Sequence, residues 1–120
     1  MITGVMFTLN GVQREVPPLN IKQMKALKKE FKEIEAARRA KLNDDSPEKA
    51  QLEDSSFDAT VKIVHAAIQR NYPDYTMDMA ESDIDMENIS DLIQAAMGHR
   101  DLVEGKRKAR ALAMSTGTAS

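Results

Sequence analysis

Apolar and polar positions alternate near the start of the chain with the period of a β-strand. Two such runs, 5–9 and 12–16, are separated by Asn10-Gly11, the pair that favours the two positive φ angles of a type I′ turn. The pattern therefore predicts a β-hairpin over about 5–16. A two-residue turn places the larger apolar side chains on one face: Val5, Phe7, Leu9, Val12 and Val16.

The apolar positions that follow have the spacing of helices. Asn20 and Gln23 match a capping box, and a helix is predicted from 21 to 42. A polar linker, 43–56, separates it from a second helix over about 57–71, which should end before Pro73. The apolar stripes predicted for the two helices are Met24, Leu27, Phe31 and Ile34, then Phe57, Val61, Val64 and Ile68.

Two shorter helices are predicted from capping residues further along the chain. Thr76 should cap a helix over 77–84, and Asp85 should cap one over 86–97 that ends at Gly98. The last residues, 111–120, offer little to bury and are predicted to be a disordered tail. The fold class is therefore mainly α, with an N-terminal β-hairpin packed on a bundle of three to four helices in one domain, 1–110.

Composition narrows the range of functions. The chain has no Cys, which removes disulfides and thiolate chemistry, and no apolar run long enough to span a membrane. Its N-terminus does not have the pattern of a signal peptide, so a cytoplasmic protein is expected. No phosphate-binding glycine motif is present, and neither His65 nor His99 lies in a recognisable catalytic motif. We therefore expect no enzyme activity, no cofactor and no metal.

The net charge of −2 conceals a strong segregation of charge. Residues 21–42 carry eight Lys or Arg and three Glu, residues 72–98 carry seven Asp or Glu and no Lys or Arg, and residues 100–110 are again basic. Such blocks are typical of solvated helix faces that complement each other, and they also steer charged partners. The basic segments alone would suggest nucleic-acid binding, but the pI of about 5.7 and the interleaved Glu residues do not favour it.

One part of the chain resembles a known family. It begins with Asn71-Tyr72-Pro73-Asp74-Tyr75-Thr76 and continues through a short acidic helix, Asp85-Met86-Glu87-Asn88-Ile89 and an apolar helix that ends at Gly98. This arrangement is similar to the tail assembly chaperones of long-tailed bacteriophages and prophages. Relatives often have Pro where this chain has Ser90. The resemblance covers 71–98 in detail and the rest of the chain only in layout.

The resemblance implies a role in virion morphogenesis. A chaperone of this family binds the tape measure protein in the host bacterial cytoplasm, keeps it soluble, recruits tail tube protein, and is absent from the mature virion. Many members also have a longer, frameshifted form that contacts the tail tube protein. A client helix with exposed apolar residues needs an adaptable apolar groove with a charged rim. The predicted protein-binding residues are Tyr72, Asp74, Tyr75, Met77, Asp78, Met79, Glu81, Asp83, Met86 and Met97.

Three other interpretations stay open. Tyr72 and Tyr75 would simply anchor the turn, and Met97 would belong to the core. The chain would be a minor tail or connector protein retained in the virion, or a small DNA-binding regulator. An unpaired hairpin edge would also allow pairing with a second copy, which would make a homo-oligomer.

Overall fold

The computed structural model describes residues 1–42 and 49–118. It confirms a mainly α fold with an N-terminal antiparallel hairpin. The elements along the chain are β1 (Val5–Leu9), β2 (Val12–Val16), α1 (Ile21–Ala26), α2 (Lys28–Leu42), α3 (Lys49–Gln69), α4 (Met77–Asp83), α5 (Ile89–Ala96) and α6 (Arg100–Thr118). No helix in the described part of the chain is both long enough and apolar enough to cross a membrane.

The hairpin has the predicted register. Leu9 pairs with Val12, and Asn10 and Gly11 have φ angles of 51° and 79°, as a type I′ turn requires. The predicted apolar face is buried at four of its five positions, Val5, Phe7, Leu9 and Val16. The prediction was wrong for Val12, which is 49% exposed, because β2 is buried only at its far end, where it meets α3 and α5.

The predicted helix over 21–42 is divided into α1 and α2 at Leu27, whose backbone has φ −97° and ψ 18°. Backbone hydrogen bonds continue across the division, since Leu27 N donates to Gln23 O and Phe31 N donates to Leu27 O. The capping box is present: Gln23 N donates to the Asn20 side chain, and Asn20 N donates to the Gln23 side chain. Gln23 also donates to the carbonyl of Ala66, which joins α1 to α3.

Helix α3 lies at the centre of the fold and packs against α2, α4, α5 and β2. It begins at Lys49, so the predicted linker of 43–56 was wrong from Lys49 onward, and residues 43–48 lie outside the described residues. Its buried side chains are Ala59, Thr60, Ile63, Val64, Ala67 and Ile68, of which the last four are 0% exposed. Phe57 was predicted to belong to the buried stripe but is 43% exposed, because the core cluster begins further along the helix, at Ile63.

The side chain of Thr76 caps the start of α4, as predicted, and a turn delays the start of α5. The hydroxyl of Thr76 accepts a hydrogen bond from Met79 N at the start of α4. The final helix was predicted to begin at 86 under an Asp85 cap, but α5 begins at Ile89. The Asp85 carboxylate instead accepts from the N–H groups of Glu87 and Asn88, and this turn occupies the positions predicted to be helical.

Helix α5 ends as predicted, and a further helix follows it. Gly98 has a φ of 84°, and its N–H donates to Ala95 O while His99 N donates to Gln94 O, which is a Schellman motif. Helix α6 then extends to Thr118, into the segment of 111–120 for which a tail was predicted. The sequence did not predict this helix. Up to Leu112, Val103 is the only buried side chain of α6, so the helix lacks the repeated apolar positions that would have predicted it.

Candidate protein-binding surface

The segment that resembles the tail chaperones begins by fixing the hairpin to the end of α3. The Tyr72 hydroxyl accepts a hydrogen bond from Glu15 N at 2.9 Å, and the Asn71 side chain donates to Glu15 O at 3.2 Å. Asn71 also bonds the N–H and the carbonyl of Ile2. The outer edge of β2 is thus covered at Glu15. A second copy would have to displace these side chains before it could pair with this edge.

Tyr75 lies in the core and is 1% exposed. Its hydroxyl donates to Asp83 Oδ2 at 2.7 Å, and the other carboxylate oxygen of Asp83 accepts from the Asn10 side chain at 2.6 Å. One carboxylate therefore links the hairpin turn, Tyr75 and the end of α4. Burial raises the pKa of the Tyr75 hydroxyl well above its usual value, and the hydrogen bond to Asp83 and the charge of Asp83 raise it further.

This pKa shift predicts a loss of stability in alkali. An unfolded tyrosine loses its proton near pH 10, whereas the folded protein holds the Tyr75 proton to higher pH. The contribution of Tyr75 is complete below about pH 10 and falls by at most about 1.4 kcal/mol for each pH unit above it. Urea unfolding at pH 9, 10 and 11 should therefore show a smaller decline for Tyr75→Phe than for the wild type. Equal declines would contradict the shift.

Arg14 lies on the buried face of the hairpin, opposite Phe7, and its guanidinium stacks on two tyrosine rings. The distances to the ring centroids are 5.2 Å for Tyr72 and 4.8 Å for Tyr75. A cation held over aromatic rings in this way replaces part of its lost hydration. Arg14 was missed as a site residue, although a charged residue in the middle of an apolar strand face is a signal that the sequence contains.

A pocket of ≈ 390 Å³ opens beside this stack. The residues that line it are Arg14, Asn71, Tyr72, Pro73, Asp74, Tyr75 and Met79. Four of the ten predicted binding residues therefore lie together, namely Tyr72, Asp74, Tyr75 and Met79. The two tyrosines also anchor the turn, as the simpler interpretation proposed, so the parts open to a partner are the pocket wall and the side chains around it.

The other predicted residues are spread over a wider surface. Asp78 and Glu81 are exposed on α4, and Met77 is half-buried. Met86 is 75% exposed in the turn before α5, and Met97 is 38% exposed at the other end of that helix. Helix α5 separates these last two methionines, and neither of them lines the pocket beside Arg14.

The acidic and basic segments are largely unpaired with each other. The described residues form a pair of Arg39 with Glu35 within α2, a pair within α6, and a single pair between segments, Arg110 with Asp91 at 3.1 Å. Asp74, Asp78 and Glu81 form no ion pair within the described chain. We name these three residues the acidic rim. Its charges are not neutralised locally and are available to a basic partner.

The remaining titratable candidates have structural contacts. The His65 ring stacks on Tyr75 with centroids 6.1 Å apart, and His99 Nδ1 lies 2.6 Å from the side-chain oxygen of Gln94. Within the described residues, no three His, Asp or Glu side chains are grouped as metal ligands would be. No protein-family model matches this sequence, and it matches neither a curated protein nor a solved structure.

Proposed function

We propose that this chain is a phage tail assembly chaperone that binds the tape measure protein and keeps it soluble. The observation that carries the proposal is a pocket lined by Met79 and two tyrosines, with Asp74 of the acidic rim in its wall. The other two rim residues, Asp78 and Glu81, are exposed on the helix that carries Met79 and form no ion pair within the described chain. This surface is formed by the same segment, 71–98, that resembles the family. Its chemistry suits a helical client that presents apolar residues flanked by Lys or Arg.

Binding would combine two contributions. Met79 has an unbranched, polarisable side chain that can adapt to different apolar residues along a long client. The rim would attract basic residues of the client and raise the rate of association, an effect that salt screens. Since neither contribution needs a defined side-chain sequence, this mode of binding would suit a client with many similar helical turns.

The proposal includes a cycle of assembly in the host bacterial cytoplasm. The bound tape measure protein would be passed to tail tube protein subunits, which replace the chaperone, so the mature virion would not contain it. A longer, frameshifted form would supply the contact with the tail tube protein. The role is one of binding without an enzymatic step.

A specific observation favours a second candidate, the small DNA-binding regulator. The lysines of α1 and of the start of α2 are exposed and form no ion pair within the described chain: Lys22, Lys25, Lys28, Lys29 and Lys32. Binding to phosphates through these lysines would weaken steeply as salt is raised. Retention on DNA-cellulose over a salt series tests this candidate directly.

The first test of the chaperone proposal is co-expression with the largest neighbouring open reading frame, the expected tape measure protein. We expect that protein to become soluble and to co-purify with this chain. Unchanged solubility without co-purification would remove the proposal. Mass spectrometry of purified virions then separates a chaperone, which is absent, from a minor tail or connector protein, which is present.

A further inference from the structure

Among the described residues of α6, Val103, Arg107 and Arg110 attach the helix to the rest of the fold. Val103 is buried, and Arg107 Nη1 donates to the carbonyl of Met6 on β1 at 2.7 Å. The Arg107 guanidinium also lies 4.5 Å from the centroid of the Phe7 ring, and Arg110 pairs with Asp91 at 3.1 Å. These residues are spaced i, i+4 and i+7, so they form one face of the helix.

The surface under this face is acidic and aromatic. A pocket of ≈ 310 Å³ there is lined by Phe7, Thr8, Asp85, Glu87, Asn88, Asp91, Arg107 and Arg110. Asp91 is only 7% exposed and lies in the first turn of α5, where a negative charge is favourable. Within the described residues it is the only one of the three carboxylates that pairs with an arginine.

Few contacts oppose the local detachment of α6 from the rest of the fold. Up to Leu112, α6 buries a single apolar side chain, and Arg110 keeps 62% of its side chain exposed. Segments with few buried apolar contacts open locally at low free-energy cost. The connection to α5 is short, since the Schellman motif at Gly98 leads directly into α6. Release of α6 would uncover Phe7, Asp91 and the edge of β1 at Met6.

We propose that α6 is a reversible latch, and that the surface it covers is a docking site for a basic helix of the protein client. The partner would carry one apolar residue and two arginines at the spacing of Val103, Arg107 and Arg110. Charge complementarity supports this occupant, because three carboxylates line the surface and the helix already seated there is basic. The proposal rests on the proposed chaperone function and adds a second contact for the same client.

The test uses the full chain and a fluorescein-labelled peptide with the sequence of residues 99–118. In Arg107→Ala/Arg110→Ala the chain's own latch is weakened, so fluorescence anisotropy should show the peptide binding at least about tenfold more tightly than to the wild type. Lys106→Ala/Lys108→Ala removes the same charge from exposed positions of the same helix and should behave as the wild type. Adding Asp91→Asn to the arginine variant should weaken peptide binding about tenfold.

Three results would overturn the latch. They are absence of peptide binding to the arginine variant, equal binding to the lysine control, and no effect of Asp91→Asn. Circular dichroism melting identifies any variant that fails to fold. If a variant fails to fold, hydrogen exchange of the wild type tests the latch instead. Amides of β1 and α6 should exchange faster when salt rises from about 0.01 M to about 1 M, whereas the exchange of α3 amides should not change. Equal exchange at both salt concentrations would reject the latch.

The latch and the chaperone proposal fail separately. The peptide assay contains no tape measure protein, so a negative result there leaves the outcome of co-expression untouched. Loss of client co-purification with intact peptide binding would instead remove the chaperone function, and with it the client helix as the occupant, while the reversible attachment of α6 would stand.

Discussion

Replacing Tyr75 with Ala is expected to lower the free energy of unfolding by about 3–5 kcal/mol, the range for truncating a large aromatic side chain in a core. Tyr75 is 1% exposed, and its ring contacts the Arg14 guanidinium and the His65 ring. The change would also remove the hydroxyl that donates to Asp83. Since a domain of this size is stable by about 5–15 kcal/mol, this loss would remove a substantial part of the total stability.

Urea unfolding followed by circular dichroism measures this effect, and Met86→Ala is its control. Met86 belongs to the same family-like segment and was predicted to share the same binding surface, but it is 75% exposed. Its replacement should change stability by no more than about 0.5 kcal/mol. A loss below about 1 kcal/mol for Tyr75→Ala would mean that Tyr75 is not the anchor of the turn.

Reversing two charges of the acidic rim should reduce the amount of co-purified tape measure protein by about tenfold. In Asp78→Lys/Glu81→Lys, the surface would repel the basic residues of the client that it is proposed to attract. Both side chains are exposed and unpaired within the described chain, so the fold should be kept. Asp78 lies in the first turn of α4, where a negative charge is favourable, and its reversal should lower the free energy of unfolding by no more than about 1 kcal/mol. The measurement is quantitative co-purification at low salt, where the difference should be largest.

Asp58→Lys/Asp101→Lys is the matched control for the rim variant. It makes the same change in net charge at exposed positions of α3 and α6, and client binding should stay at the wild-type level. Asp83 is unsuitable for this test because its carboxylate accepts hydrogen bonds from Tyr75 and Asn10, so reversal would disturb the fold. If the rim and control variants bind the client equally, the rim has no part in recognition.

The family-like segment also has an internal role in the fold. Asn71 and Tyr72 bond the hairpin, Tyr75 bonds Asp83, and the Asn88 side chain donates to the carbonyl of Asp83. These contacts explain why this segment needs polar residues of such defined types. The residues that are free to bind a partner are therefore those that the turn does not use, above all Asp78, Glu81 and Met79.

The sequence by itself determined the local features of this protein. The type I′ turn at Asn10-Gly11, the capping box of Asn20 with Gln23, the Thr76 cap and the close of α5 at Gly98 were all predicted correctly. Each of them depends on contacts between residues within a few positions of one another. A favourable φ angle or a side-chain cap acts on its own neighbours, whatever the rest of the chain does.

The tertiary structure alone decided which side chains are covered and which charges stay unpaired. Val12 and Phe57 fit apolar patterns but are exposed, because β2 is buried only at Val16 and the buried side chains of α3 near Phe57 are Ala59 and Thr60. The stack of Arg14 on two tyrosines and the pairing of Arg110 with Asp91 join residues far apart in the chain. Periodicity describes one element at a time, whereas burial and ion pairing depend on how separate elements pack against each other.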